Sequence, residues 1–250
     1  MRIDHPNVIR ILAAGVFPKP FIVLERLQDV SQLFNFKSHK LFRRRPFSFG
    51  RTLELAKNLA DALRYLHSEI NDDGMIIHRD LKPENLGLNS NGEMILFDFG
   101  LCRCVQKRTQ DNQVYQMTGN TGSLRYMAPE VVLGHPYNEK VDVYSFAVVL
   151  WALATGCEPF SDLDVASHRS KVVLSGMRPK MKRSWPTEFQ NLLTDCWQNR
   201  STLRPNFVVI SERISKITVQ YANSAHKLST MKCLLRSISM PALISKPSTP

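Results

Sequence analysis

The chain has 250 residues, 43% apolar and 22% charged, with a formal net charge of +11. One large domain with a sizeable core is the natural expectation. No apolar stretch follows Met1 as a signal peptide requires, and the longest apolar run, 146–154, is too short to cross a bilayer. Residues 9–17 and 21–27 are β-rich runs separated by Pro18-Lys19-Pro20, a hairpin pattern. Lys37, Lys40, Arg43, Arg44, Arg45 and Arg51 then concentrate charge in the stretch 37–51. That cluster reads as a solvated face, a docking surface for an acidic partner, or a nuclear import signal. Nucleic-acid binding is disfavoured, since only Phe42, Phe47 and Phe49 interleave it.

Residues 51–68 carry Leu55, Leu59, Ala62, Leu63 and Leu66 at helical spacing, which predicts a core-facing helix. Residues 86–88 and 94–97 flank Asn91-Gly92, a turn pair that predicts a short hairpin. Residues 143–153 read as a buried helix, and a further helical region lies between Trp185 and Phe207. The pattern fades after about residue 220. Ser229, Ser237, Ser239, Ser245 and Ser248 with Pro241, Pro247 and Pro250 then predict a flexible basic tail over 219–250, following one domain over 1–218. Five cysteines, 102, 104, 157, 196 and 233, are scattered and odd in number. They read as reduced thiols of an intracellular protein, cytoplasmic rather than nuclear.

The densest signal is His78-Arg79-Asp80-Leu81-Lys82-Pro83-Glu84-Asn85. Asp98-Phe99-Gly100 starts 18 positions after Asp80, and Ala128-Pro129-Glu130 starts 30 after Asp98. Each tripeptide alone is an ordinary turn or loop. Together, in order, they resemble the catalytic loop, metal-binding loop and activation-segment end of eukaryotic protein kinases. The resemblance covers about 5–215. It implies an α+β protein-kinase-like fold, mostly the helical lower lobe with the hinge and last strands of the upper lobe.

The resemblance also assigns roles. Phosphoryl transfer needs positioning and charge stabilisation more than covalent chemistry. Asp80 takes the place of the catalytic base, and Lys82 that of the residue contacting the transferred phosphoryl group, which marks serine/threonine specificity. Asn85 and Asp98 match the Mg²⁺ ligands, hard oxygen donors of the kind this ion prefers. For ATP, Leu24 stands at the gatekeeper position, Glu25-Arg26-Leu27 at the hinge, and Gly87 beneath the adenine. A glycine there departs from the family's bulky aliphatic, and Phe97 is bulkier than usual before Asp98. Arg79 marks an arginine–aspartate kinase, whose arginine pairs with a phosphorylated activation-segment residue. Thr118 and Thr121 are the favoured phosphosites, with Thr109, Tyr115 and Ser123 in the same segment. His78, Phe99, Gly100, Glu130, Asp142 and Arg204 match scaffold positions. Cys196-Trp197 with Arg204-Pro205 resembles the tyrosine-kinase-like group.

The sequence contains no glycine-rich loop, phosphate-contacting strand lysine or C-helix glutamate, because the match enters the domain part-way. This predicts an N-terminally truncated, ATP- and Mg²⁺-dependent serine/threonine kinase acting on a protein substrate, nearly inactive by itself. The alternative is a non-catalytic kinase-like scaffold if Met1 is the true start.

Overall fold

The computed structural model describes residues 3–29, 47–107 and 113–238, with the side chains of the last helix described as far as residue 224. Lys37, Lys40, Arg43, Arg44, Arg45, Thr109 and the segment 239–250 lie outside the described residues.

Strands β1 (Ile11–Gly15) and β2 (Phe21–Leu24) form an antiparallel hairpin, Ile11 opposite Leu24 and Gly15 opposite Phe21. A second, three-stranded sheet has the order β3 (Gln28–Asp29), β5 (Leu86–Leu88), β6 (Met94–Leu96). The segment before β1 joins this sheet. Ile9 N donates to Leu96 O at 2.9 Å and the buried Asn7 side chain donates to Met94 O at 2.9 Å.

Helix α1 (Phe49–Arg64) begins at Ser48, whose hydroxyl accepts from Arg51 N at 3.2 Å and so satisfies one of the free first-turn donors. Its buried face carries Leu53, Leu55, Leu59 and Leu63. The helix widens into a π turn, Tyr65–Glu69, in which Leu66 and His67 point inward. Strand β4 (Gly74–Ile77) pairs antiparallel with β7 (Arg103–Gln106). This ladder clasps the catalytic segment, since β4 runs directly into His78 and β7 emerges just after Gly100.

The short helix α2 (Pro129–Val132) leads to α3 (Lys140–Thr155), in which every residue from Val141 to Ala154 is buried. Such a helix, apolar all round, is the centre of a core rather than a surface element. Helix α4 (Val165–Ser167) is capped by Asp164 and passes into a π turn, His168–Leu174. Helix α5 (Thr187–Cys196) buries Phe189, Leu192, Leu193 and Cys196. Helix α6 (Phe207–Ile238) closes the fold and packs on α1, with Tyr221 edge-on to Phe49 at 5.0 Å.

Helical backbone continues across 219–238, within the stretch read from the sequence as a tail. That stretch contains neither Gly nor Pro before Pro241, and Ala222, Ala225, Lys227, Leu228, Met231, Lys232 and Leu234 are good helix formers. Among the described residues no helix is long and apolar enough to cross a membrane.

Candidate active site

The catalytic segment hangs from one buried carboxylate. Asp142, near the start of α3, is fully buried and accepts from His67 Nε2, His78 N and Arg79 N, each at 2.8 Å. Burial raises its pKa, but these donors outweigh burial and hold it below the ordinary carboxylate range. They fix the chain at the turn where Arg79 adopts φ +70°, a left-handed conformation costly for a non-glycine residue. His78 is buried, and burial lowers its pKa although Asp142 and the Phe97 carbonyl oppose that. Asp80 N donates to its Nδ1, so the neutral ring keeps its proton on Nε2, 3.2 Å from Phe97 O. Phe99 packs edge-on against it at 5.2 Å.

This frame presents Asp80. Lys82 Nζ donates to Asp80 Oδ2 at 2.7 Å and to Ser123 Oγ at 3.0 Å, while Ser123 Oγ donates to Asp80 Oδ1 at 2.9 Å. Asn85 Nδ2 donates to Asp80 O at 2.8 Å and to Oδ2 at 3.2 Å. Burial raises the Asp80 pKa, yet Lys82, Ser123 and Asn85 together hold it low, so the carboxylate is ionised. Gly122 lets Ser123 approach this closely. Its φ is +108°, and a Cβ there would lie 2.7 Å from Arg79 O.

Asn85 precedes β5 and Asp98 follows β6, so both stand at the open end of the β5–β6 hairpin, away from its turn. Asn85 spends its amide nitrogen on Asp80, leaving its oxygen as a donor atom. Asp98, at φ +64°, is exposed and accepts from Gly100 N through Oδ1 alone at 3.2 Å. Two hard oxygens, few protein ligands and open space for phosphate and water suit Mg²⁺. Among the described residues no group of three or more His, Cys, Asp or Glu forms a closed metal cage.

On the nucleotide side, Leu24 ends β2 opposite Ile11, and Glu25 turns back so that its carboxylate accepts from Arg10 N at 2.9 Å. Gly87 does not leave a simple void beneath the hinge. Asp29 pairs with Gly87 across β3 and β5, and a Cβ at 87 would lie 2.7 Å from Leu27 Cβ. The hinge leucine thus occupies the space that the missing side chain vacates.

Arg79 reaches the activation segment. Its Nε donates to Leu101 O at 2.6 Å, and its Nη1 lies 3.0 Å from Tyr137 Oη and 3.3 Å from Thr118 Oγ1. Thr118 is exposed, and Thr121 Oγ1 donates to it at 3.2 Å. Further along, Glu130 and Arg204 form a two-pronged pair at 2.6 and 2.9 Å. Arg204, 2% exposed, also donates to the carbonyls of Gln198, Lys140 and Asn199. Cys102 is partly buried with a raised pKa, caused first by burial and then by Cys104, so it packs as a thiol.

His67 and Tyr137 escape sequence reading. Each lies far in sequence from the partner it serves, and only the catalytic-loop string near them signals a site.

The family model for protein tyrosine and serine/threonine kinases matches residues 1–214. The chain belongs to this kinase family. It is 34% identical over 229 residues to serine/threonine-protein kinase VIK of Arabidopsis thaliana, covering 90% of this chain and 50% of that protein. It is 32% identical over 208 residues to serine/threonine/tyrosine-protein kinase HT1 of the same plant, covering 82% of this chain and 50% of the relative. With mitogen-activated protein kinase kinase kinase 7 of Drosophila melanogaster it shares 30% over 224 residues, 89% of this chain and 31% of that protein. The chain thus spans half or less of the length of these relatives. As a kinase-family member it has the α+β fold expected above, dominated by the lower lobe. The family uses ATP and generally Mg²⁺.

Proposed function

We propose that the protein of which this chain forms the catalytic part is a serine/threonine kinase acting on a protein hydroxyl. The observation that carries this reading is the ionised Asp80 held between Lys82, Ser123 and Asn85. Asp80 orients the acceptor hydroxyl and takes its proton as the oxygen bonds to the γ-phosphorus of ATP. The bond from that phosphorus to the β–γ bridging oxygen breaks, and ADP leaves with the electron pair. Lys82 neutralises charge on the moving phosphoryl group. Asn85 and Asp98 would hold Mg²⁺, which neutralises charge on the nucleotide phosphates. Leu24, Glu25 and Leu27 line the adenine side, with Leu27 taking the part of an absent side chain at 87.

Regulation follows from Arg79. A phosphate on Thr118 would add charged acceptors beside Arg79 and Tyr137, ordering the activation segment through charge-assisted hydrogen bonds. Thr121, bonded to Thr118, is the second acceptor position.

The test is transfer of labelled γ-phosphate to a serine/threonine-containing acceptor protein. It is run on this chain and on a form extended at its N-terminus by a glycine-rich loop, a strand lysine and a C-helix glutamate. The expected result is Mg²⁺-dependent transfer by the extended form, lost in Asp80→Asn, with little transfer by the short chain. Replacing Thr118 and Thr121 together by Ala in the extended form should depress activity. Transfer that survives Asp80→Asn would contradict the catalytic reading and favour the scaffold.

A further inference from the structure

A cavity of about 550 Å³, within the range of small-molecule sites, opens beside the His67–Asp142 pair. Asp80, Lys82, Asn85 and Asp98 take no part in its lining. Its walls come from His67 in the π turn after α1, from Lys107 just beyond β7, and from the starts of α3 and α6, with Glu139, Val143, Asn206 and Phe207. Lys107 is held in place, since its Nζ donates to the carbonyls of Ser68 at 2.8 Å and Asn71 at 2.6 Å. Both acceptors are neutral, and among the described residues no carboxylate pairs with this ammonium. One of its three protons remains for a ligand. Glu139 likewise has no cation partner among the described residues, but it stands at the N-terminus of α3, where the positive end of the helix dipole offsets its charge. The N-terminus of α6 adds to Lys107, so the cavity is left positive.

His67 points to what the cavity takes. The residue is 7% exposed, its Nε2 meets Asp142 Oδ2 at 2.8 Å, and Phe207 holds its ring edge-on at 5.2 Å. Its Nδ1 has no protein partner among the described residues and, unlike the sealed nitrogens of His168, keeps access to the cavity. Asp142 is ionised, so Nε2 gives it the proton and Nδ1 of the neutral ring presents a lone pair. The ligand must therefore be negative toward Lys107 and donate a proton toward His67. A carboxylate or a sulfate is negative but has no proton to donate near neutral pH. An amino-acid zwitterion brings no net charge into a positive site. A phosphomonoester, whose second ionisation lies near pH 6, offers both anionic oxygens and a P–OH. The Thr202 hydroxyl and Asn206 Nδ2 have no protein partner among the described residues and add donors for the remaining oxygens. Val143 and Phe207 supply an apolar wall for the ester group.

We propose that this cavity is a second ligand site, for a small phosphomonoester whose anionic oxygens meet Lys107 and whose P–OH donates to His67 Nδ1. Through His67 the ligand bears on Asp142, the carboxylate that also holds the main chain of His78 and Arg79. Occupancy of the cavity therefore stiffens the catalytic loop. Binding here stands apart from the phosphoryl-transfer reading, and only an effect on turnover would rest on that reading.

The test titrates the full chain, without Mg²⁺ or ATP, with phenyl phosphate and with phenyl sulfate at about pH 6, read by calorimetry. The probes share a ring and a tetrahedral anion, and only the phosphate keeps a proton. Phenyl phosphate should bind about tenfold more tightly than phenyl sulfate. Lys107→Gln should weaken phenyl phosphate about tenfold, while Lys82→Gln should leave its binding unchanged, which separates this cavity from the catalytic site. His67→Gln keeps a donor for Asp142 but removes the Nδ1 acceptor, and should bring the two probes to within about twofold. Should that variant fold poorly, Lys107→Gln with Lys82→Gln decides the site. With phenyl phosphate bound, the His78 and Arg79 amides should exchange several-fold more slowly. No saturable binding of phenyl phosphate up to about 10 mM, equal affinity for phenyl sulfate, or binding lost in Lys82→Gln and kept in Lys107→Gln would overturn the proposal. Binding with unchanged exchange at His78 and Arg79 would overturn its link to the loop. Phenyl phosphate binding by a chain whose extended form transfers no phosphate would sink the kinase reading alone, and transfer without this binding would sink the second site alone.

Discussion

The two ends of this molecule are built on opposite terms. Around Asp142, three donors meet one buried carboxylate and every partner comes from a distant part of the chain. In the β1–β2 hairpin, Val16 and Phe17 are 82% and 87% exposed, and Ile11, Leu12 and Ile22 are also exposed. The first region fixes the backbone at His78 and Arg79 by hydrogen bonds to one side chain. Among the described residues the second is an apolar two-stranded ribbon with no covering layer, an arrangement of low stability by itself. The comparison teaches that the hydrogen-bonded frame around Asp80 is built without any contribution from the hairpin. Nucleotide grip depends on whatever covers the hairpin.

The contrast breaks most sharply at Arg204. Glu130→Gln leaves a buried guanidinium without its carboxylate and should cost about 3–5 kcal/mol, read as a lower urea midpoint. Asp142→Asn comes next. It presents an amide NH₂ to groups that are themselves donors, so at least one buried N–H loses its acceptor, at about 1–3 kcal/mol. The same variant should lower phosphoryl transfer in the extended form, because His78 and Arg79 lose their anchor.

A smaller effect should appear with pH. Burial lowers the His78 pKa in the folded chain, so the unfolded chain takes up a proton more readily below its ordinary value of about 6.5. Stability from this group is intact above that pH and is lost as pH falls toward the folded-state pKa. Burial lowers His5 and His168 in the same direction. The urea midpoint should therefore be lower at about pH 5.5 than at about pH 7.5. The smallest effect belongs to the hairpin. Val16→Thr and Ile22→Thr should change stability by no more than about 0.5 kcal/mol while improving solubility, as exposed positions do.

Much of this site is legible as a string. The segment from His78 to Asn85 and the Asp98 tripeptide announce the chemistry because each residue type is demanded by a chemical task. Helices α1 and α3 follow from apolar spacing and from an unbroken apolar run. The β4–β7 ladder is not legible, since two four-residue strands separated by 25 positions specify each other only through tertiary packing. Gly87 reads as a gap until Leu27 is seen against it. Tyr137 carries no motif, because its significance lies in what it faces, the Arg79 guanidinium. The full length of α6 is hidden for a different reason. Its far half has helix-forming residues but little apolar pattern to announce them.

Amide hydrogen exchange on the chain without nucleotide tests most directly whether the catalytic loop is preorganised by the lower lobe. The account predicts that the amides of His78 and Arg79 exchange nearly as slowly as those at the centre of α3, while β1 and β2 exchange orders of magnitude faster. Exchange of His78 and Arg79 at the rate of the hairpin would contradict it, and would show that the loop acquires its shape only when the nucleotide side is complete.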